Sequence, residues 1–140
     1  MNYNLERFID AQTNKVTYQT ALKEVKNGLK VSHWMWYIFP QIKGLGFSYN
    51  SVFYAVSCAD EAKAYLEDPV LGPRLREIST ELLKHTGNRA EDIFGDIDSR
   101  KLRSSMTLFN AVCPNDVFAK VLDTFFASNR DKRTLDLMKG

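Results

Sequence analysis

The sequence has little excess of charge of either sign. Nineteen lysine and arginine residues stand against seventeen aspartate and glutamate residues, which leaves a formal net charge of +2 in 140 residues. Nucleic acids and anionic membranes attract proteins largely through an excess of positive charge, so this balance predicts neither partner. Any anion-binding site has to be built locally.

An export signal and long apolar runs are also missing. Glu6, Arg7 and Asp10 lie near the start of the chain, where a signal peptide needs an apolar stretch. The longest aromatic and aliphatic run, Trp34 to Phe39, is far shorter than the roughly 20 residues that cross a bilayer. We therefore expect an intracellular, cytoplasmic protein that does not span a membrane.

Cysteine and histidine are scarce, with two residues of each. Cys58 and Cys113 lack the paired spacing of a zinc or dithiol motif, which predicts two free thiols. His33 and His85 lie in separate segments without carboxylates at ligand spacing, so no metal site is expected. The sequence also lacks dinucleotide, P-loop, nucleophile-elbow and zinc-protease motifs, and no cofactor is predicted.

Helical periodicity runs along almost the whole sequence. Apolar residues recur at steps of three and four, as in Leu71, Leu75, Ile78 and Leu82. The composition is that of a globular protein, 44% apolar and 26% charged, and the chain contains no repeat and no linker rich in serine and glycine. These features predict an all-α fold, an irregular multihelical single domain over residues 1–140 with about six to eight helices.

Glycine and proline mark the predicted ends of helices. Gly28 suits the left-handed position after a helix, Pro40 ends a short apolar helix, and Gly95 separates a short helix from a long one. The segment 51–56 has some strand character, but no second run pairs with it, so we expect it to be irregular or helical. The predicted N-caps include Ser32, Asn88 and Asn115.

The segment 30–46 is the densest in unusual residues and contains both tryptophans of the chain. Such aromatic side chains can stack a planar ligand and offer hydrogen bonds at their edges. The same composition is also typical of the hydrophobic centre of a small domain. The candidate ligand-binding residues here are Lys30, Trp34, Trp36 and Gln41.

The helix after Gly95 carries hydroxyl side chains next to basic ones. Serine and threonine are mediocre helix formers, so their clustering calls for another explanation. They could contact phosphate or carboxylate oxygens, or they could let another helix approach closely while bonding back to their own helix. The candidate ligand-binding residues in this helix are Lys101, Arg103, Ser104 and Ser105.

These two segments together suggest one pocket for a small planar or anionic ligand, such as a nucleotide or an ADP-ribose-like molecule. Hydrolysis or transfer at a glycosidic or phosphoester bond would then use His33 or Asp98 as acid or base, although His33 also suits a structural role. The competing hypothesis is a protein-protein interaction module in which the aromatic segment Trp34 to Phe39 docks a partner.

Several motifs resemble one known family. They are Ser32 to Gln41 with Gly44-Leu45-Gly46, Glu61-Ala62 with Ala64-Tyr65-Leu66, Pro69 to Gly72 with Arg74-Leu75, Ile93-Phe94-Gly95, and Lys101-Leu102 with Ser104 to Phe109. Together they are similar to the bacterial domain-of-unknown-function family 1810 and cover nearly the whole chain. The resemblance implies a compact, mainly α-helical single domain and assigns no reaction and no catalytic residues.

Overall fold

The chain folds into helices joined by short connections. The computed structural model describes residues 3–139, and this range contains nine α-helices and one 3-10 helix but no β-strand. The predicted all-α fold is confirmed, with slightly more helices than expected. The helices are α1 (Glu6–Asn14), α2 (Tyr18–Lys26), α3 (Met35–Ile38), α4 (Tyr49–Phe53), α5 (Ala59–Glu67), α6 (Leu71–Leu82), the 3-10 helix (Leu83–His85), α7 (Ala90–Val112), α8 (Val117–Phe126) and α9 (Lys132–Met138).

Helix α2 illustrates how local sequence sets the ends of an element. The Thr17 hydroxyl accepts a hydrogen bond from the Thr20 N–H and so caps the first turn. Leu22 and Val25 follow at helical spacing and are buried. Gly28 then adopts a left-handed conformation with φ of 76°, as predicted, and the chain leaves the helix there.

The long helix α7 provides the centre of the core. Leu102, Met106 and Phe109 lie on one of its faces and are fully buried. The ring of Phe109 packs against Phe118 of α8 with 5.8 Å between centroids. Each such side chain contributes about 1.5–3 kcal/mol through burial, so α7 and α8 anchor the helices around them.

Helix α3 belongs to the core and does not form a docking surface. Trp34 and Phe39 at its two ends are fully buried, and both rings contact Phe94 of α7 edge to face. Within the segment Trp34 to Phe39, only Trp36 is partly exposed. The hypothesis of an exposed aromatic patch from Trp34 to Phe39 is therefore wrong, because α1 and α7 pack against the segment and bury most of it.

The segment 51–56 is partly helical and is held in place from two sides. Its first residues belong to α4, and Val56 forms an isolated bridge to Ile42. Arg7 of α1 donates hydrogen bonds to the carbonyl oxygens of Phe53 and Ala55 at 2.9 Å each and to the Glu61 carboxylate at 2.8 Å. Because five N–H groups of one guanidinium can act together, Arg7 fixes the α4 region against α1.

Two helix starts lie one residue after their predicted caps. Arg89, and not Asn88, is the N-cap of α7, where its backbone N–H donates to the Asp92 carboxylate at 2.9 Å. Asp116, and not Asn115, caps α8. Asn115 instead takes a left-handed conformation with φ of 66°, which an N-cap does not have.

The break predicted at Gly95 is present inside α7. Gly95 has φ of 81° and ψ of 169°, a combination that only glycine adopts without strain. In an uninterrupted helix the Ile93 carbonyl would accept a hydrogen bond from the residue four positions later. Here it accepts one from the backbone N–H of Lys30 at 2.8 Å. The break therefore fastens the chain after α2 to α7.

The cysteines and the lengths of the helices agree with two further expectations. Cys58 and Cys113 are free thiols, as predicted. Within residues 3–139, no helix combines the length and the apolar character that crossing a bilayer demands.

Replacing Gly95 with alanine tests the need for this conformation. The added Cβ would meet no neighbouring atom within 4 Å, so the change introduces strain without a clash. We expect the free energy of unfolding to fall by about 1–3 kcal/mol, measured by urea denaturation. Gly87→Ala is the control, because Gly87 also has open space but no positive φ, and its effect should be neutral or slightly stabilising. Equal changes in the free energy of unfolding for the two variants would contradict the conclusion that the backbone conformation at position 95 requires glycine.

Candidate functional site

The Glu24 carboxylate holds the segment that follows α2. Its Oε1 accepts hydrogen bonds from the backbone N–H groups of Val31 and Ser32 at 2.8 and 2.9 Å and from the Trp34 indole N–H at 2.9 Å. Its Oε2 accepts one from the Ser32 hydroxyl at 2.7 Å. Ser32 thus donates hydrogen bonds to Glu24. The N-cap of α3 is Trp34 and not the predicted Ser32. One side chain fixes the direction in which residues 30–34 leave α2.

This arrangement also sets the acidity of Glu24. Partial burial raises the pKa of the carboxyl group, but the hydrogen bonds from Ser32, Val31 and Trp34 outweigh it and lower the pKa to about 2. The charged form is therefore the one that the folded chain stabilises.

Lys30 is held in a nearly buried position by this segment. Its side chain is only 6% exposed, and its ammonium lies 2.9 Å from Asp98 Oδ2 and 5.0 Å from the centroid of the Trp34 ring. A buried ammonium needs such partners because desolvation disfavours its charge. Lys30 and Asp98 are therefore joined across the gap between the α2–α3 connection and α7.

Lys101 adds a second positive charge to the same place. Its ammonium lies 3.6 Å from Asp98 Oδ1 and 5.4 Å from the centroid of the Trp36 ring. The nearby Asp96 carboxylate pairs instead with Arg100 at 3.0 Å on the exposed side of the helix. Each oxygen of the Asp98 carboxylate thus has a lysine ammonium close to it.

These residues surround an open cleft between the α2–α3 connection and the break in α7. Its volume is about 540 Å³, within the range of small-molecule sites. The lining is Lys30, His33, Trp34, Met35, Trp36, Phe94, Gly95, Asp96, Ile97, Asp98 and Lys101. The structure therefore brings together six of the ten predicted site residues: His33, Asp98, Lys30, Trp34, Trp36 and Lys101.

His33 lies on the rim of this cleft. Its side chain is exposed and has no hydrogen-bond or ion-pair partner among residues 3–139. Asp98, the other predicted acid or base, has both oxygens close to lysine ammonium groups. His33 is thus available for proton transfer, whereas Asp98 is occupied in balancing charge.

Trp34 does not offer the stacking surface that the sequence suggested. The residue is fully buried, its indole N–H is bound to Glu24, and Lys30 lies over its ring. Trp34 therefore forms part of the floor of the cleft, and a planar ligand cannot lie on its face.

Gln41 lies outside the cleft, in a small recess on another side of Trp36. The other residues of the recess are Asn50, Ser51, Tyr54 and Ala55. The recess adjoins a second hollow of about 410 Å³, which is lined by Lys15, Val16, His33, Trp36, Tyr37, Asn50 and Tyr54. The predicted position of Gln41 is thus corrected, because Pro40 ends α3 and turns the chain away from α7.

Arg103, Ser104 and Ser105 also lie outside the cleft. The Ser104 hydroxyl donates to the Arg100 carbonyl and to Asp131 Oδ2, at 3.2 and 3.1 Å. Arg103 pairs with the same Asp131 at 3.6 Å. Ser105 is fully buried and its hydroxyl has no partner among the described residues. Their predicted place beside the tryptophans is corrected, because they point toward α9 or the core.

The hydroxyl cluster of α7 instead holds the last helix in place. Asp131, the N-cap of α9, accepts from Ser104, and its backbone N–H donates to the Thr107 hydroxyl at 3.0 Å. Thr107 also bonds back to the Arg103 carbonyl at 2.8 Å. Both predicted explanations therefore apply within the protein: Ser104 contacts a carboxylate oxygen, and Ser104 and Thr107 bond back to their own helix while α9 packs against it.

Comparison with known proteins identifies the family. Residues 2–138 match the family described as "Protein of unknown function (DUF1810)". The chain belongs to the DUF1810 family. Its membership was predicted from the sequence motifs and is confirmed.

One solved structure shows the same fold. The conserved hypothetical protein Rv1873 from Mycobacterium tuberculosis is 40% identical to this DUF1810 chain, with a TM-score of 0.94. The alignment covers 99% of this chain and 98% of the other. No curated protein matches the chain.

Several residues of the site in this DUF1810 protein were not apparent from the sequence. Glu24 is a single acidic residue on a helix, and nothing near it in the sequence marks it as a hydrogen-bond acceptor for residues 31–34. Lys15 and Asn50 come from the end of α1 and from α4 and meet only in the folded chain. Among residues 3–139, no three His, Cys, Asp or Glu side chains are grouped closely enough to hold a metal ion.

Replacing Glu24 with glutamine tests the hydrogen bonds that hold residues 31–34. Hydrogen bonds to a charged acceptor are stronger than those to a neutral one, so we expect the free energy of unfolding at neutral pH to fall by about 2 kcal/mol. Urea denaturation measures this loss. Glu67→Gln is the control, since Glu67 is exposed and its side chain has no hydrogen bond to any of residues 3–139.

The loss of stability in Glu24→Gln should also become smaller as the pH falls. Because folding lowers the pKa of Glu24, its contribution is complete above the unfolded value of about 4.3 and disappears as pH falls toward the folded value. The difference between the native protein and Glu24→Gln should therefore shrink as pH falls through this window. A difference that stayed constant would show that the charge of Glu24 does not contribute.

Proposed function

We propose that the protein binds a small phosphorylated ligand, a nucleotide or an ADP-ribose-like molecule, in the cleft between Lys30 and Lys101. The observation that supports this most directly is the pair of lysine ammonium groups in one cleft, which lie 2.9 and 3.6 Å from the two oxygens of Asp98. The oxygens of a phosphate group would accept charge-assisted hydrogen bonds from both ammonium groups.

The surroundings of the two lysines favour an anion further. Trp34, Met35 and Phe94 give the cleft an apolar floor, and charges interact more strongly where water is partly excluded. Lys101 is 27% exposed and flexible enough to reach a ligand, whereas Lys30 is fixed. One lysine thus provides a rigid charge and the other an adaptable one.

The chemistry that fits this cleft is hydrolysis of the bound molecule. A hydrolytic step requires a group that takes a proton from water or gives one to the leaving group. His33 has a free imidazole on the rim, next to the proposed phosphate position, with no partner within residues 3–139. Asp98 would act through electrostatics by keeping Lys30 and Lys101 in place. We therefore propose His33 as the acid or base of such a reaction.

Ligand-induced stabilisation tests the binding. Thermal unfolding is measured with ADP, ADP-ribose and inorganic pyrophosphate, and a ligand at one hundred times its Kd should stabilise the fold by about 2.7 kcal/mol. Lys101→Met should weaken the binding of any active compound by about tenfold or more, because a charge-assisted hydrogen bond is lost. Lys120→Met, a change of an exposed lysine outside the cleft, serves as the control. The absence of any stabilisation by all three compounds would refute the proposal.

Asp98→Asn separates ligand binding from stability. Removing the carboxylate leaves both lysines free for the ligand, so we expect pyrophosphate to bind several-fold more tightly in calorimetry. The same change leaves the buried Lys30 without its ion-pair partner and should lower the free energy of unfolding by about 3 kcal/mol. Asp136→Asn, on the exposed side of α9, should change neither quantity. A loss of pyrophosphate binding in Asp98→Asn would show that excess positive charge is not what the cleft provides.

A further inference from the structure

We infer that the ligand is a nucleotide whose phosphates occupy the cleft and whose base occupies the second hollow, on the other side of Trp36. This inference rests on the proposed function and adds a base-binding site to it. The two hollows share His33 and Trp36 as their common wall, so one molecule can extend from one to the other over a short ridge.

Trp36 lines both hollows. Lys101 lies over its ring at 5.4 Å from the centroid and lines the cleft but not the second hollow. Trp36 also lines the second hollow, and its indole is the aromatic group on which we place the base. A base stacked there would place its attached sugar near His33 and its phosphates toward Lys101 and Lys30.

Two side-chain amides border the same face of the site. Asn50 lines the second hollow, and Gln41 lines the recess beside it, which also contains Asn50 and Trp36. Neither amide group forms a hydrogen bond with the described part of the chain, residues 3–139. Each offers both donors and an acceptor, which is the chemistry that reads the edge of a nucleobase.

The charge of the second hollow is compatible with this ligand. Its lining contains Lys15 and no acidic residue among those the structure describes. Lys15 is exposed and has no ion-pair partner within residues 3–139. The Tyr37 hydroxyl already has a hydrogen-bond partner, because it donates to the Val16 carbonyl at 2.9 Å. The polar groups of this lining that face a base in our proposal are the Asn50 amide, the Tyr54 hydroxyl and the His33 imidazole, and the Gln41 amide lies in the recess beside them.

Calorimetry with matched ligands and variants tests the inference. ADP, GDP, CDP and UDP are titrated into the full chain alongside pyrophosphate, and at least one nucleotide should bind about tenfold more tightly than pyrophosphate, because stacking and base contacts add to phosphate contacts. Asn50→Ala should remove most of this advantage while leaving pyrophosphate binding within about twofold. Asn129→Ala, on an exposed turn, should preserve both affinities.

The outcomes distinguish this inference from the proposed function. If pyrophosphate binds in a way that depends on Lys101 but no nucleotide binds more tightly, the base-binding site is refuted and the phosphate cleft stands. An unchanged nucleotide preference in both Asn50→Ala and Gln41→Ala has the same meaning. If neither pyrophosphate nor any nucleotide binds, both ideas fail. Circular dichroism and unfolding midpoints verify that each variant is folded.

Discussion

The geometry of the site depends on one carboxylate, that of Glu24. Four hydrogen bonds from residues 31–34 converge on it, and without them that short segment would have no regular structure to fix its path. Because the segment lies between Lys30 and α3, its path decides where the Lys30 ammonium and the Trp36 ring are placed. The acceptor is charged, which makes each bond stronger than a bond to a neutral group.

The break at Gly95 is the matching feature on the other side of the cleft. It ends the first turns of α7 so that the Ile93 carbonyl can accept from Lys30, and it starts the longer stretch that carries Asp98 and Lys101. A continuous helix would have satisfied that carbonyl internally and removed the backbone hydrogen bond between Lys30 and α7. The same backbone conformation thus joins the two walls and leaves an opening between them.

The polar residues of α7 divide between two tasks according to the direction in which they point. Asp98 and Lys101 face the cleft, whereas Ser104 and Thr107 bind the N-cap of α9. All four lie within three turns of one helix, and their chemical types alone suit either task. They follow one another at steps of three residues, and at about 100° per residue each step turns the side chain by about 60°, so Thr107 lies on the side of the helix opposite Asp98.

The sequence by itself determined the helical class, the apolar stripe of Leu102, Met106 and Phe109, and the break at Gly95. These features depend on residues within one or two turns of each other, so spacing and backbone preference suffice to predict them. It also drew attention to Lys30, His33, Trp36, Asp98 and Lys101. Only the tertiary structure decided that these side chains share a cleft, that Trp34 is buried beneath it, and that Ser104 belongs to α9. The choice of partner for a polar side chain depends on which helices pack together, and helical periodicity carries no information about residues far apart in the chain.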